Sequence, residues 1–427
     1  MQPSIDKIKN NPKLVSGFGK IGIVVNQTSI TSNYEASCEI IYAATKQLDT
    51  SEVSCIFGPQ HGYYQTEQDN MRETPDDYYT FYDGKKIPLY SLYSKTREPT
   101  AEQLQNIDTL IVDLQDIGCR VYTYMLTLAA CLKAAAKYAK KVVVLDRPNP
   151  LGLCVKNKVN KNWNFVEGDR LNLKWHSFVG WYDIPMRHGL SMGELGHYFI
   201  KYDKLNVDYQ VISVDNLSRK NDISSYKLIN WAMPSPNIPC WESAYFFPSF
   251  VSLEGTNISE GRGTTVPFQL IGAPWLNNID CLKFLNKFKE IYLNDKKNPS
   301  AIVIRPHNFR PTFNKHHNQI CYGLQFHIEN PQNINLFNLG ISFLTFCNFH
   351  HRETFKWSEP GYEYNYTDLP INLIYGTDRW LNFFNELSSD WDLTLLKEQL
   401  AISDKSAQNF INEVEELLIY REQDEQT

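Results

Sequence analysis

The chain lacks most of the signatures by which enzymes are read at sight. The one G-x-G-x-x-G match, GFGKIG at 17–22, runs into a β-branched stretch instead of following a strand and opening a helix, so it is no dinucleotide fingerprint, and no G-x-x-x-x-G-K-[ST] P-loop occurs. No G-x-S-x-G elbow marks a serine hydrolase. No H-E-x-x-H or related spacing appears; His61, His176 and His188 are histidines that a metal might in principle draw together, but their spacing does not support one, and no metal or cofactor is expected. The nine cysteines are scattered and contain no C-x-x-C pair, which leaves no disulfide framework and no zinc site. There is no apolar h-region in MQPSIDKIKN and no run of 18 apolar residues, so membrane insertion is not expected. The chain as it stands reads as cytoplasmic, or as periplasmic or secreted if a signal has been removed. Basic residues are outnumbered, 42 to 48, for a net charge of −6, which argues against nucleic acid as a partner.

What is present is a globular composition in 427 residues, 42% hydrophobic and 21% charged, long enough for two or three domains. Aromatics make up 13%, which suits sugar stacking as well as a large core. Short β-branched runs at 20–25, 52–57, 87–92, 108–114 and 141–145 alternate with helical segments at 34–48, from Thr100, and at about 124–140. That alternation predicts βαβ units and an α/β fold: a Rossmann-like, mostly parallel sheet over 1–222, then a smaller α+β domain over 223–427. The polar stretch 213–230 suits the junction. In the second part, 301–305 and 320–328 read as strands, and 336–349 and 406–421 as helices.

Polar side chains gather at the predicted carboxyl ends of the strands: Asn26, Gln60 with His61, Tyr90, Asp113 with Gln115 and Asp116, and Asp146 with Arg147 and Asn149. In open α/β sheets this edge binds ligands. The stretch Phe57–Met71, FGPQHGYYQTEQDNM, is the most unusual of these, with glycine and proline around Gln60 and His61 and carboxyls at Glu67 and Asp69. Arg187 and His188 precede Ser191-Met192-Gly193-Glu194, which reads as a capping box and so gives Glu194 a structural role. Further on, LEGTNISEGRGTTVPF places Glu260 and Arg262 among glycines. This is either a plain hairpin loop or a segment allowing close backbone approach to a ligand.

Taken together, FGPQHG (57–62), QDNM (68–71), PLYSLYSKTREPT (88–100), DTLIVDLQDIGCRVYTYMLTL (108–128), VVVLDRPNPLG (142–152), VEG (166–168), IPMRHGLSMGEL (184–195), PSPNIP (234–239) and EGTNISEGRGTTVPFQLIGAPW (254–275) resemble the bacterial exo-β-N-acetylmuramidases of the NamZ type. The resemblance covers roughly residues 18–380. It implies a cleft between the two domains and release of non-reducing terminal N-acetylmuramic acid from peptidoglycan fragments, a muropeptide or amino-sugar substrate, without metal or organic cofactor. It also implies a catalytic role at position 60, where many members read FGPEHG. Here the residue is Gln60, and an amide neither donates a proton to a leaving oxygen nor acts as a base. Glu67, Asp69, Asp116 and Glu260 are the substitute carboxyls, with Asp69 and Asp116 preferred and His61 beside them. Arg120, Arg147 and Asp146 are expected to bind or structure the site, an arginine being suited to the lactyl carboxylate, and Tyr122 and Tyr124 to meet the sugar. Two readings follow, an active exo-glycosidase or a muropeptide-binding relative that has lost its acid at Gln60.

Overall fold

A computed structural model of the protein describes residues 1–68, 71–156, 163–228, 230–292, 301–332, 334–387 and 393–421. The first half is built on a seven-stranded sheet of β1 (Gly19–Val24), β2 (Ser51–Gly58), β3 (Asp77–Thr80), β4 (Lys86–Ser91), β5 (Thr109–Val112), β6 (Lys141–Leu145) and, after a hairpin of β7 (Glu167–Arg170) and β8 (Pro185–Arg187), β9 (Asp208–Ile212). The order is β9-β6-β5-β1-β2-β4-β3, parallel except for the antiparallel edge strand β3. The central strands are apolar throughout, TLIV and KVVVL, as strands covered on both faces must be. The edges differ: β3 and β9 alternate and expose polar or aromatic side chains. Both are additional to the five strands expected from sequence, being short and weakly apolar.

The chain starts mid-sheet at β1, runs outward through β2 and β4, then returns to β5 on the other side of β1. The strand order therefore reverses between β1 and β5. Connections leave this point in opposite directions, which opens a crevice at the carboxyl edge. Two helices are fixed by capping boxes, Thr100–Gln103 and Ser191–Glu194, as their sequences indicate.

In the second half an antiparallel sheet, ordered β10 (Leu270–Ala273), β12 (Cys321–Ile328), β11 (Ile302–Phe309), packs with the helices Asn278–Tyr292 and Leu336–His350. The C-terminal helix spans Leu393–Val414, not 406–421. Leu396, Leu400, Ala407, Phe410, Ile411 and Val414 are all buried along one face of it, so its apolar stripe begins well before Ser406.

One hydrophobic cluster runs through both halves, joining Leu110 and Leu126 to Phe247, Leu253, Phe337 and Trp380. Polar ties lock the same junction. The Glu167 carboxylate accepts from the backbone N–H groups of Leu336 (2.7 Å) and Phe337 (3.2 Å) at a helix N-terminus. Arg379 pairs with Asp169 at 2.8 Å, and Arg170 with Glu413 at 2.6 Å. The cleft between the halves is thus held by core packing rather than by a hinge.

Candidate active site

At the end of β2 the chain folds back on itself. A Cβ on Gly58 would lie 2.9 Å from the Tyr63 nitrogen, so only glycine permits the return. His61, Gly62 and Gln65 all take positive φ. Because of this tight reversal Gln60 and His61 line a cleft between the sheet's carboxyl edge and the second half. Thr123 donates to the Gln60 carbonyl oxygen at 2.5 Å, which leaves the amide N–H₂ to favour the charged form of the nearby Glu363. His61 Nδ1 lies 2.7 Å from the Glu67 carbonyl oxygen. A carbonyl only accepts, so Nδ1 carries the proton. Burial lowers the imidazole pKa to about 4, against the hydrogen bond to Glu67 and with help from the Arg262 charge. The ring is neutral at physiological pH and its Nε2 is a free lone pair.

The opposite wall comes from the second half. Phe247, Val251 and Glu254 descend from the helix Trp241–Phe250 and the 3₁₀ turn after it. Arg262 donates to Glu254 at 2.5 Å and lies 3.3 Å from Glu260, and Tyr362 donates to the other Glu254 oxygen at 2.8 Å. Glu260 lies behind this layer. Burial pushes its carboxyl up, but the charges of Lys315 (2.7 Å) and Arg262 outweigh that and hold it below the usual glutamate range.

Glu363 completes the wall. It is only 4% exposed, its Oε2 accepts from the Tyr93 hydroxyl at 3.1 Å, and it lines the same cleft as Gln60. Burial raises its pKa to about 7; the negative charge of Glu254 adds to this, while Tyr93, Gln60 and Arg97 oppose it. Two carboxyls, Glu254 and Glu363, therefore share one cleft with different surroundings: an arginine pairs the first, and burial keeps the second near neutrality.

The remaining residues singled out from sequence distribute as follows. Tyr122 lines the cleft with Val121, edge-on to Tyr124 at 4.9 Å and to Phe247 at 5.9 Å. Asn26 donates to the Tyr124 hydroxyl at 2.8 Å, and that hydroxyl donates to the Pro234 carbonyl at 2.6 Å, so the PSPNIP segment is fastened over the strand ends. Asp69 lies outside the described residues. Glu67 contributes its backbone carbonyl to His61. Asp116 accepts from the Gly118 N–H at 2.6 Å and faces His188 Nε2 at 3.5 Å, behind the cleft lining. Tyr90 packs on Phe57, ring centroids 5.5 Å apart, within the sheet layer. Arg120 donates to the carbonyls of Ile374 and Tyr375, both at 3.0 Å, at the end of a short helix of the second half. Arg147 makes a bidentate pair with Asp113. Asp146 accepts from Ser191, Gly193 and Tyr420, which anchors a helix start; burial raises its carboxyl to about 6. Asn149 braces Leu151 and Leu190, and Arg187 pairs with Glu167 at 2.5 Å. Gln60, His61, Tyr122, Tyr124 and Arg262 thus converge on the cleft, whereas Asp113, Arg147 and Asp146 are engaged in internal pairing.

Glu254, Thr123 and Glu363 were not singled out from sequence. Glu254 opens the same glycine-rich stretch as Glu260 and Arg262. Glu363 lies in a short polar turn, GYEYN, that carries no motif; the nearest signal is Gly361 beside two tyrosines. A larger cavity, about 130 Å³, lies beyond the Pro-rich segment, against Thr28, Gln115, Arg147, Pro148 and Trp231. Its lining contains no carboxyl group, and its arginine is already paired.

Comparison with known proteins agrees with this architecture. The family profile described as exo-beta-N-acetylmuramidase NamZ, N-terminal, matches residues 21–242, and its C-terminal counterpart matches residues 245–420. The chain is 34% identical over 362 residues to the peptidoglycan beta-N-acetylmuramidase NamZ of Bacillus subtilis (strain 168), covering 84% of this chain and 80% of that protein. Two crystal structures of DUF1343 family proteins from Bacteroides fragilis NCTC 9343 share the fold. One has a TM-score of 0.78 at 24% identity over 98% of this chain and 99% of the other; the second has a TM-score of 0.67 at 24% identity over 99% of each. The chain belongs to the NamZ family of exo-β-N-acetylmuramidases.

Proposed function

We propose that the protein is a glycosidase that removes non-reducing terminal N-acetylmuramic acid from peptidoglycan fragments, using the cleft between the sheet edge and the second half. The observation that carries this reading is the pair of buried carboxyls in one cleft, Glu254 held by Arg262 and Glu363 facing Gln60. Glycoside hydrolysis generally requires two carboxyl groups in different protonation states, one to assist departure and one to stabilise or activate on the other side. The apolar faces of Tyr122 and Phe247 suit a sugar ring, and neutral His61 offers an acceptor to a hydroxyl or to water. The named activity of the Bacillus subtilis relative supports the same substrate class.

A binding-only role is the competing reading, and Gln60 is its support. Against it stands Glu363, since a site that merely holds a sugar gains nothing from a carboxyl kept near neutrality. Incubation with a chromogenic β-N-acetylmuramide decides between them. Release of the chromophore is expected; binding of N-acetylmuramic acid without any turnover would make the protein a sugar-binding relative.

A further inference from the structure

We propose that Glu363 is the proton donor of this glycosidase, supplied from a strained hairpin tip in the second half to the cleft that Gln60 also lines. The inference rests on the hydrolase reading and adds which group protonates the leaving oxygen.

The backbone provides the first argument. Gly361 N–H donates to the Asn365 carbonyl at 2.8 Å, and Asn365 N–H donates back to Tyr362 at 3.0 Å, so residues 362–365 form a tight two-residue hairpin. Its central residues, Glu363 and Tyr364, have φ of +46° and +65°. A turn with positive φ at both central positions is ordinarily filled by Asn-Gly. Glutamate and tyrosine there are strained, and such strain persists where surrounding structure over-determines it. Here Tyr93 and Gln60 do so. The Tyr93 hydroxyl bonds the Glu363 carboxyl, Gln60 lines the cleft beside it, and the side chain is buried although it sits at a loop tip.

The second argument is polar complementarity. The Gln60 oxygen is taken by Thr123, so only its N–H₂ is free to face Glu363. The groups facing the carboxyl are the Tyr93 hydroxyl from beyond β4, the Gln60 amide from the loop after β2, and Glu254 from the 3₁₀ turn. Arg97 is more distant, stacked 4.1 Å over the Tyr93 ring and 3.6 Å from Glu73. No cation makes a direct pair with Glu363 among the described residues. Burial beside the Glu254 carboxylate favours its acid form, with a pKa of about 7.

In the reaction the bond from the anomeric carbon to the leaving oxygen breaks, and its electron pair goes to that oxygen. The oxygen takes the Glu363 proton and departs as an alcohol, leaving the Glu363 carboxylate. A water oxygen bonds to the anomeric carbon, and the proton it sheds restores the carboxyl. The net change is one water consumed per sugar released.

The test compares wild type and Glu363→Gln, full chain, on two substrates: the unactivated disaccharide of N-acetylmuramic acid linked to N-acetylglucosamine, and 2,4-dinitrophenyl β-N-acetylmuramide, whose leaving group departs without a proton. The variant is expected to lose at least ~100-fold in kcat/KM on the disaccharide and less than ~10-fold on the dinitrophenyl substrate. Equal loss on both, or no loss on the disaccharide, overturns the donor role alone. No turnover of either substrate by wild type overturns the hydrolase reading and the donor role with it. Should Glu363→Gln fail to fold, the wild-type pH profile serves. kcat/KM on the disaccharide is expected to fall above about pH 7 with the dinitrophenyl profile flat there, and matching profiles would refute the assignment.

Discussion

Replacing Glu363 by glutamine has a consequence for folding that is independent of any substrate. In the folded protein the carboxyl has a pKa of about 7, against 4.5 for an ordinary glutamate, because burial disfavours its charged form and the Glu254 charge adds to that. Below about pH 4.5 both folded and unfolded chains hold the proton and the group is neutral with respect to stability. Between about pH 4.5 and 7 the unfolded chain releases the proton while the folded one keeps it. Stability therefore declines with rising pH at about 1.4 kcal/mol per pH unit and levels off above about 7. The accumulated cost is about 3 kcal/mol. Glutamine copies the neutral carboxyl in shape and can still accept from Tyr93, but it does not titrate. Urea unfolding at a series of pH values should give wild type and Glu363→Gln similar stability near pH 4.5 and leave the variant ahead by about 3 kcal/mol at pH 8. Asp146 and Asp404, also raised to about 6, weaken both proteins alike and cancel in the difference. Parallel stability curves, or a wild type that gains on the variant as pH rises, would refute the assignment of a buried, protonated Glu363.

Arg120→Met should lower stability by about 2–4 kcal/mol in the same unfolding assay, since it leaves the carbonyls of Ile374 and Tyr375 without donors at a buried junction; a loss below about 0.5 kcal/mol would contradict the tie. Gly118 has φ of +85°, and a Cβ there would fall 2.2 Å from the Asn149 side-chain oxygen, so Gly118→Ala should cost about 2–3 kcal/mol, whereas an unchanged melting temperature would rule out that packing. The His61 imidazole should show no titration by NMR between about pH 5.5 and 8, because burial holds its pKa near 4; a midpoint near 6.5 would place the ring in water instead.

The helix caps show how much was local. Thr100 and Ser191 announce their helices three residues ahead, because a capping box is made of bonds between neighbours in sequence. The strands of the central sheet are equally plain, since burial on both faces demands an unbroken apolar run. The edge strands β3 and β9 were not legible for the converse reason: half their side chains face solvent.

The polar residues at the strand ends look alike in sequence, and the fold divides them. Asp113 with Arg147, and Glu167 with Arg187, neutralise each other inside the protein, because a buried charge without a partner is too costly to keep. Gln60 and His61, turned inward by the reversal at Gly58, reach the cleft from the first half together with Tyr122, Thr123 and Tyr124. The sequence by itself determined the family and the parallel sheet, both of which are written in local pattern and in ordered motifs. That Glu254 and Glu363 share one cleft was decided by tertiary structure alone. Glu363 acquires its environment from Tyr93, Gln60 and Glu254, three segments far apart in the chain, and a pKa is a property of what surrounds a group rather than of the residue or its neighbours in sequence.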